Sequence, residues 1–151
     1  MADREECVFC RIVRGETPAH IVYEDEQTIA FLDHRPLFAG HVLVLPKAHH
    51  ETLAELPPAL LEPLFATAQL LAWAVEQGMQ AEGTFVAINN RVSQSVPHLH
   101  IHVVPRRQKD GLFARGHLWK RQPYKDRAEM DQVQAALTEA VTAAQQATGS
   151  A

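Results

Sequence analysis

From Pro57 to Met79 the apolar residues Leu60, Leu61, Leu64, Phe65, Ala68, Leu71, Ala72 and Val75 recur at three- and four-residue spacing. On either side of that stretch the apolar residues fall instead in short runs rich in β-branched and aromatic side chains. This change of period constrains the fold more than any other feature, because it sets one amphipathic helix between two groups of strands. "HIVYED" (20–25) and "TIAFLD" (28–33), with Glu26 and Gln27 between them, predict a hairpin. "HVLVLP" (41–46) predicts a third strand, closed by Pro46 and preceded by the turn signals Pro36 and Gly40. Pro57 and Pro58 suit the first turn of the long helix and Gly78 suits its end. "TFVAIN" (84–89) and "HLHIHVVP" (98–105) predict strands four and five, and 126–144 a C-terminal helix. The order β-β-β-α-β-β-α lacks the strand–helix alternation of a parallel sheet. The expected class is therefore α+β: an antiparallel sheet of five strands with the long helix packed on one face, plus the C-terminal helix. Residues 1–145 read as a single domain and 146–151 as a frayed tail.

At 46% hydrophobic residues the 151-residue chain has enough apolar material for one core, and 21% charged residues is ordinary for a folded protein. A net charge of −4 argues against a nucleic-acid duplex as partner, since phosphate neutralisation needs a basic face. The opening "MADREEC" lacks the apolar stretch of a secretory signal, and no apolar run approaches the ~20 residues of a bilayer span. The expectation is a cytoplasmic protein without a membrane partner. In a reducing compartment the pair Cys7 and Cys10 points to metal binding or redox chemistry. Redox chemistry would place the first thiol at a helix N-terminus after a buried strand, and no strand precedes it. Tetrahedral zinc would need two further ligands.

His98, His100 and His102 alternate with Leu99, Ile101 and Val103. On a strand the three imidazoles share one face and the three apolar residues the other. Two chemistries use such a row. A metal hydrolase usually adds a carboxylate, and none lies between Glu82 and Asp110. Alternatively a neutral imidazole, with a pKa near ~6.5, attacks phosphorus at neutral pH. It then needs one ring nitrogen held as donor, and further donors around the phosphate, which the flanking histidines and "SQSV" can supply.

"HLHIHVV" resembles the His-φ-His-φ-His-φ-φ pattern of the histidine triad family, with φ apolar. "FLDHRPLFAGHVLVLPKAHH" and "CVFCRIVRGETPAHIVYED" resemble two further blocks of that family, in the same order. "SQSVPHLH" and "HVVPR" are similar to its bacterial nucleotide hydrolase and transferase branch. The resemblance implies action at the α-phosphate of nucleoside monophosphate derivatives, such as phosphoramidates or dinucleoside polyphosphates, through a nucleotidyl-histidine. It makes His100 the nucleophile, with His98, His102 and Ser95 in the catalytic group. His102 would bond a phosphate oxygen, Gln94 and Ser95 the phosphate or leaving group, and Asn89 (or its neighbour Asn90) phosphate or ribose. Asp33 would accept from ribose hydroxyls, His41 would orient the triad, and Phe9, Ile12 and Phe31 would line a base pocket.

The same resemblance implies a structural zinc held by Cys7, Cys10, His49 and His98, no organic cofactor, and a homodimer whose two sheets join into one. The basic run "RRQKDGLFARGHLWKRQPYKDR" (106–127) reads either as a solvated loop or as a site for a phosphate-rich tail or a dimer element, with Trp119 as anchor. His34, His50 and His117 read as surface residues. Two rival functions stay open on the residues alone: a nucleotide-binding regulatory or scaffold protein with vestigial activity, and a metal-dependent phosphodiesterase.

Overall fold

The structure, a computed structural model, describes residues 6–116 and 118–149. The elements are α1 (Val8–Val13), β1 (Ile21–Glu24), β2 (Thr28–Leu32), β3 (Val42–Pro46), α2 (Leu61–Gly78), β4 (Gly83–Ala87), β5 (Ile101–Arg106) and α3 (Arg127–Gly149). The strands form one antiparallel sheet of five in the order β1-β2-β3-β5-β4. The α+β expectation holds. The β1–β2 turn is tied by Asp25, whose Oδ1 accepts from the Gln27 and Thr28 N–H groups, both at 2.8 Å. Asp126 Oδ1 likewise accepts from the Glu129 N–H at 2.9 Å at the start of α3.

The long helix packs on one face of the sheet as expected, and α1 covers the centre of the other. Ala30, Leu32, Val42, Val44, Leu99, Ile101 and Val103 pack with Leu64, Leu71 and Val75 of α2 and Leu137 and Val141 of α3. On the opposite face Ile29, Phe31, Leu43 and Leu45 pack with Phe9 and Ile12 of α1. Every residue of β2 and β3 is buried. That is why "HVLVLP" is continuously apolar where a one-faced strand would alternate. A third cluster of Leu37, Val104 and Leu112 carries Phe38, Phe85 and Trp119 at its margin.

Several boundaries move. α2 begins at Leu61, after a 3-10 turn at Pro58–Leu60. The stretch Pro58–Gly78 is long and apolar enough to cross a membrane by length and composition, contrary to the sequence reading. Its residues Leu64, Ala68, Leu71, Ala74 and Val75 are buried against the sheet, as in the core helix of a globular domain. α3 runs to Gly149, so 146–149 continue that helix where a frayed tail was expected; residues 150 and 151 lie outside the described residues, as does His117. β4 ends at Ala87, leaving Asn89 beyond the strand that was to carry it. β5 starts at Ile101, so only His102 of the triad sits in the ladder. The reason is local: pairing with β3 ends at Val44 opposite Ile101. Beyond it the Leu99 N–H donates to the His50 carbonyl at 2.7 Å, and the His98 ring takes the Pro46 carbonyl.

Candidate functional site

The two sides of the triad segment are chemically separate. Leu99, Ile101 and Val103 are wholly buried in the core, and the three imidazoles project from the other side, as the alternation required. Each imidazole then meets a different partner, and those partners fix its tautomer. The His100 Nδ1 faces the His98 carbonyl oxygen at 2.7 Å. A carbonyl only accepts, so Nδ1 carries the hydrogen and Nε2 carries the lone pair. The Phe9 ring stands edge-on to His100, centroids 5.1 Å apart, and holds its plane. Burial lowers the His100 pKa, opposed by the bond to the His98 carbonyl, so the ring is uncharged at neutral pH.

His102 is set by a relay that starts in the backbone. The Leu37 N–H donates to His41 Nδ1 at 3.0 Å. His41 Nε2 therefore bears the hydrogen and donates to His102 Nδ1 at 2.9 Å. That leaves His102 with an Nε2–H, a donor, as the complement of the His100 lone pair. The His100 and His102 rings lie 4.9 Å apart. Burial pushes His41 down to about 4, and burial with the neighbouring His41 and His100 takes His102 to about 3. Both stay neutral, and the relay keeps its direction.

A cleft of about 490 Å³ opens on this pair. Phe9, Ile12, Phe31, Asp33, Ser95, His100 and His102 all line it, so the structure gathers these sequence-selected residues at one place. His41 stands behind them, fully buried. Asn89 and Gln94 are not among the lining residues. The Gln94 amide is instead spent on the loop: it accepts from the Arg91 N–H at 2.7 Å and donates to the Glu51 carbonyl at 2.7 Å. Asn90 is likewise engaged, its Oδ1 accepting from the Leu53 N–H at 2.8 Å.

Asp33 is buried at the cleft wall, with Oδ1 accepting from the Arg35 N–H at 2.9 Å and Oδ2 from Arg121 Nη1 at 2.7 Å. Burial would raise its pKa. The neighbouring His41, the Arg35 N–H and the Arg121 guanidinium reverse that, and the carboxyl lies below its usual range. With His41 neutral, the Arg35 N–H and Arg121 carry the effect at pH 7. Asp33, His41 and His102 also sit close enough to hold a metal ion. The facing nitrogens of His41 and His102 are already committed to each other and to Leu37, and the Asp33 oxygens to Arg35 and Arg121, so the group is held as a hydrogen-bonded relay.

His98 belongs to a second cluster. Its Nε2–H donates to the Pro46 carbonyl at 2.8 Å, which leaves the Nδ1 lone pair facing Cys7 Sγ and Cys10 Sγ, each at 3.5 Å. His49 Nδ1 lies 3.2 Å from Cys10 Sγ. All four ligand atoms fall within 4.8 Å of one another. Zinc bonds of about 2.3 Å to sulfur and 2.0 Å to nitrogen, at tetrahedral angles, set ligand atoms roughly 3.5 Å apart, and the cluster meets that test. Cys7 also N-caps α1, its Sγ accepting from the Cys10 N–H at 3.4 Å. The pair is thus at a helix N-terminus after all, but both thiols are aimed at imidazole nitrogens rather than at solvent.

The sequence reading missed several cleft residues. His34 and His20 line it, and so do Val8 and Thr17 from the first helix and the loop after it. Arg121 lines it too. Trp119 stands edge-on to His102, centroids 4.9 Å apart. No periodicity marks these residues; for Trp119 and Arg121 the only signal was an aromatic and cations together in the 106–127 run. A larger hollow of about 700 Å³ lies between α2, α3 and the β1–β2 turn, but its Tyr23 hydroxyl is bonded to Asp25 at 2.6 Å.

The antiparallel sheet thus presents a lone-pair imidazole, His100, and an imidazole donor, His102, to one cleft. The chain belongs to the HIT domain family, which it matches over residues 14–109. It is 36% identical over 113 residues to Adenylylsulfatase HINT3 of Arabidopsis thaliana, covering 74% of this chain and 57% of that relative. The chain thus spans little more than half that relative's length. Adenosine 5'-monophosphoramidase HNT1 of Candida albicans is 32% identical, with 72% of this chain and 76% of that protein covered. A Zn-bound histidine triad family protein from Mycobacterium smegmatis shares the fold with a TM-score of 0.77 and 38% identity, over 93% of this chain and 99% of that one.

Proposed function

We propose that this protein is a nucleotide hydrolase or nucleotidyl transferase that works through a covalent bond between phosphorus and His100 Nε2. The observation that carries the reading is the pair of opposed tautomers in the cleft: a lone pair on His100 beside an N–H on His102. The His100 lone pair forms the P–N bond as the bond from α-phosphorus to the leaving group breaks and takes its electron pair away. The His102 Nε2–H and the Ser95 hydroxyl hold the phosphate oxygens. Water or another acceptor then attacks phosphorus, the P–N bond breaks, and His100 recovers its lone pair. Phe9, Ile12 and Phe31 take the base, and Asp33 the ribose hydroxyls. Relatives named for adenylylsulfate and adenosine phosphoramidate chemistry support an adenylyl substrate.

Zinc in the Cys7, Cys10, His49 and His98 cluster would serve structure, tying α1 to the triad segment. The fit of the cluster and the zinc-bound relative support this. The attacking group is a side chain, so the step needs no metal-bound water. The Cys7 and Cys10 thiols, both facing imidazole nitrogens, support a reducing, cytoplasmic setting. An open β4 edge supports a homodimer.

The experiment is a short pulse of labelled adenosine phosphoramidate, quenched in base, where a phosphoramidate bond survives. Label is expected on the peptide at His100 and on neither His98 nor His102, with turnover independent of added magnesium or manganese. Turnover that requires those ions, with no labelled peptide at any time, would overturn the covalent reading in favour of a metal-dependent phosphodiesterase. No turnover and no label, with nucleotide still bound, would favour the regulatory protein.

A further inference from the structure

The segment after β5 is held at several points. Leu112 is buried beside Leu37 and Val104. The Gln122 N–H donates to the Pro36 carbonyl at 2.7 Å, and the Tyr124 hydroxyl accepts from the Gly40 N–H at 3.0 Å. Trp119 rests on His102 and, at 6.4 Å, on Phe85. Between Trp119 and Gln122, Arg121 is carried into the cleft wall, where its Nη1 donates to Asp33 and to the Arg35 carbonyl. A guanidinium has more N–H donors than these acceptors use, arranged as a fork that fits phosphate. Among the described residues, Arg121 Nε and Nη2 have no hydrogen-bond partner. The side chain is 27% exposed and lines the cleft.

We infer that Arg121 is a substrate-binding residue that takes a phosphate group of the nucleotide, delivered by the segment 118–126 and aimed by Asp33. The inference rests on the nucleotide reading above and adds to it the cation that the triad itself lacks. Neutral imidazoles and Ser95 offer hydrogen bonds to a dianion but no formal charge. Arg121 offers both, and its tie to Asp33 leaves it oriented before the ligand arrives. Two phosphates could be its ligand: the 5′-phosphate next to the triad, or a phosphate on the ribose hydroxyls that Asp33 faces.

Equilibrium binding of adenosine, AMP and adenosine 3′,5′-bisphosphate to the full chain separates these. Arg121→Gln is expected to weaken a phosphate-bearing ligand by at least about tenfold while adenosine stays within about twofold, as befits loss of a charge-assisted contact. Arg121→Lys, which keeps the charge but not the fork, should recover part of the loss. An effect on AMP and the bisphosphate alike identifies the 5′-phosphate, and an effect on the bisphosphate alone identifies a ribose phosphate. Equal weakening of adenosine would overturn the inference, since it marks a purely structural role through Asp33. So would unchanged binding of all three. If the wild-type chain binds none of them, the nucleotide reading falls, and this inference with it.

Discussion

His41 touches no part of the cleft, yet it decides what His102 offers there. It is fully buried, and burial takes its pKa from 6.5 to about 4. The unfolded chain therefore protonates His41 as pH falls below about 6.5, while the folded chain does not until about 4. Its contribution to stability is fully present above the upper value and is lost as pH falls through that window, at up to about 1.4 kcal/mol per pH unit. His102, at about 3, follows the same sign. His41→Asn removes one such group. Urea unfolding across this range should give a shallower loss of stability for the variant than for the wild type; equal slopes would mean that His41 is not buried neutral. At the nucleophile, His100→Ala should cost orders of magnitude in turnover while AMP still binds, and near-normal turnover would refute the assignment. His100 was legible because alternation in an apolar run is itself a physical pattern. Arg121 was not, because it meets Asp33 across 88 positions and sits in a basic run that has no period. The place of Gln94 was hidden for a related reason: its amide bonds the Arg91 N–H and the Glu51 carbonyl, the latter 43 positions away.

Among the elements, the long helix was legible from its period and α1 was not. α1 has only six residues, and its cap is a thiol rather than the usual hydroxyl or carboxylate. Its position still matters, because it carries Phe9 to His100. Zinc at Cys7, Cys10, His49 and His98 would hold that helix against the triad segment. About one zinc per chain is expected by elemental analysis, and Cys7→Ser with Cys10→Ser should remove it and lower Tm by several degrees. Zinc retained in the double variant would discount the site. Where α2 meets α3, Gly78 lies close against α3. A Cβ there would come within 2.9 Å of Leu137 Cδ2 and 3.1 Å of the Ala136 carbonyl oxygen. Helix propensity favours alanine by roughly 0.5–1 kcal/mol, but a backbone carbonyl on a packed helix cannot step aside. Gly78→Ala should therefore destabilise, by about 1–3 kcal/mol. A calorimetric Tm at or above wild type would show that α3 yields.

At the scale of the whole molecule, the sheet has two unequal edges. β1 lies against α3, and Gln134 Nε2 donates to the Ile21 carbonyl at 3.0 Å. β4 ends the other side, with no further strand beside it among the described residues. An edge of this kind pairs readily with another chain unless charge, proline or a covering element blunts it. The β4 sequence "GTFVA" holds neither charge nor proline, and Val86 is 47% exposed. On α2, which contacts β4, Leu61, Phe65 and Trp73 are each at least 40% exposed. A two-fold pairing of β4 with its copy would join two five-stranded sheets into one and cover apolar surface of this kind. The segment "GTFVA" could be read as a strand from sequence, but its place at an edge could not, because strand order depends on long-range pairing. Sedimentation equilibrium of the full chain should give a dimer. Val86→Lys, which puts a charge on the exposed edge, should weaken association by at least about tenfold, or 1.4 kcal/mol. Circular dichroism should show the variant still folded, since Val86 is half exposed at the sheet edge and its cross-strand partner Val103 keeps its burial beneath α2. A wild-type monomer at high concentration would exclude the β4 pairing, and a Val86→Lys dimer of unchanged affinity would move the interface elsewhere.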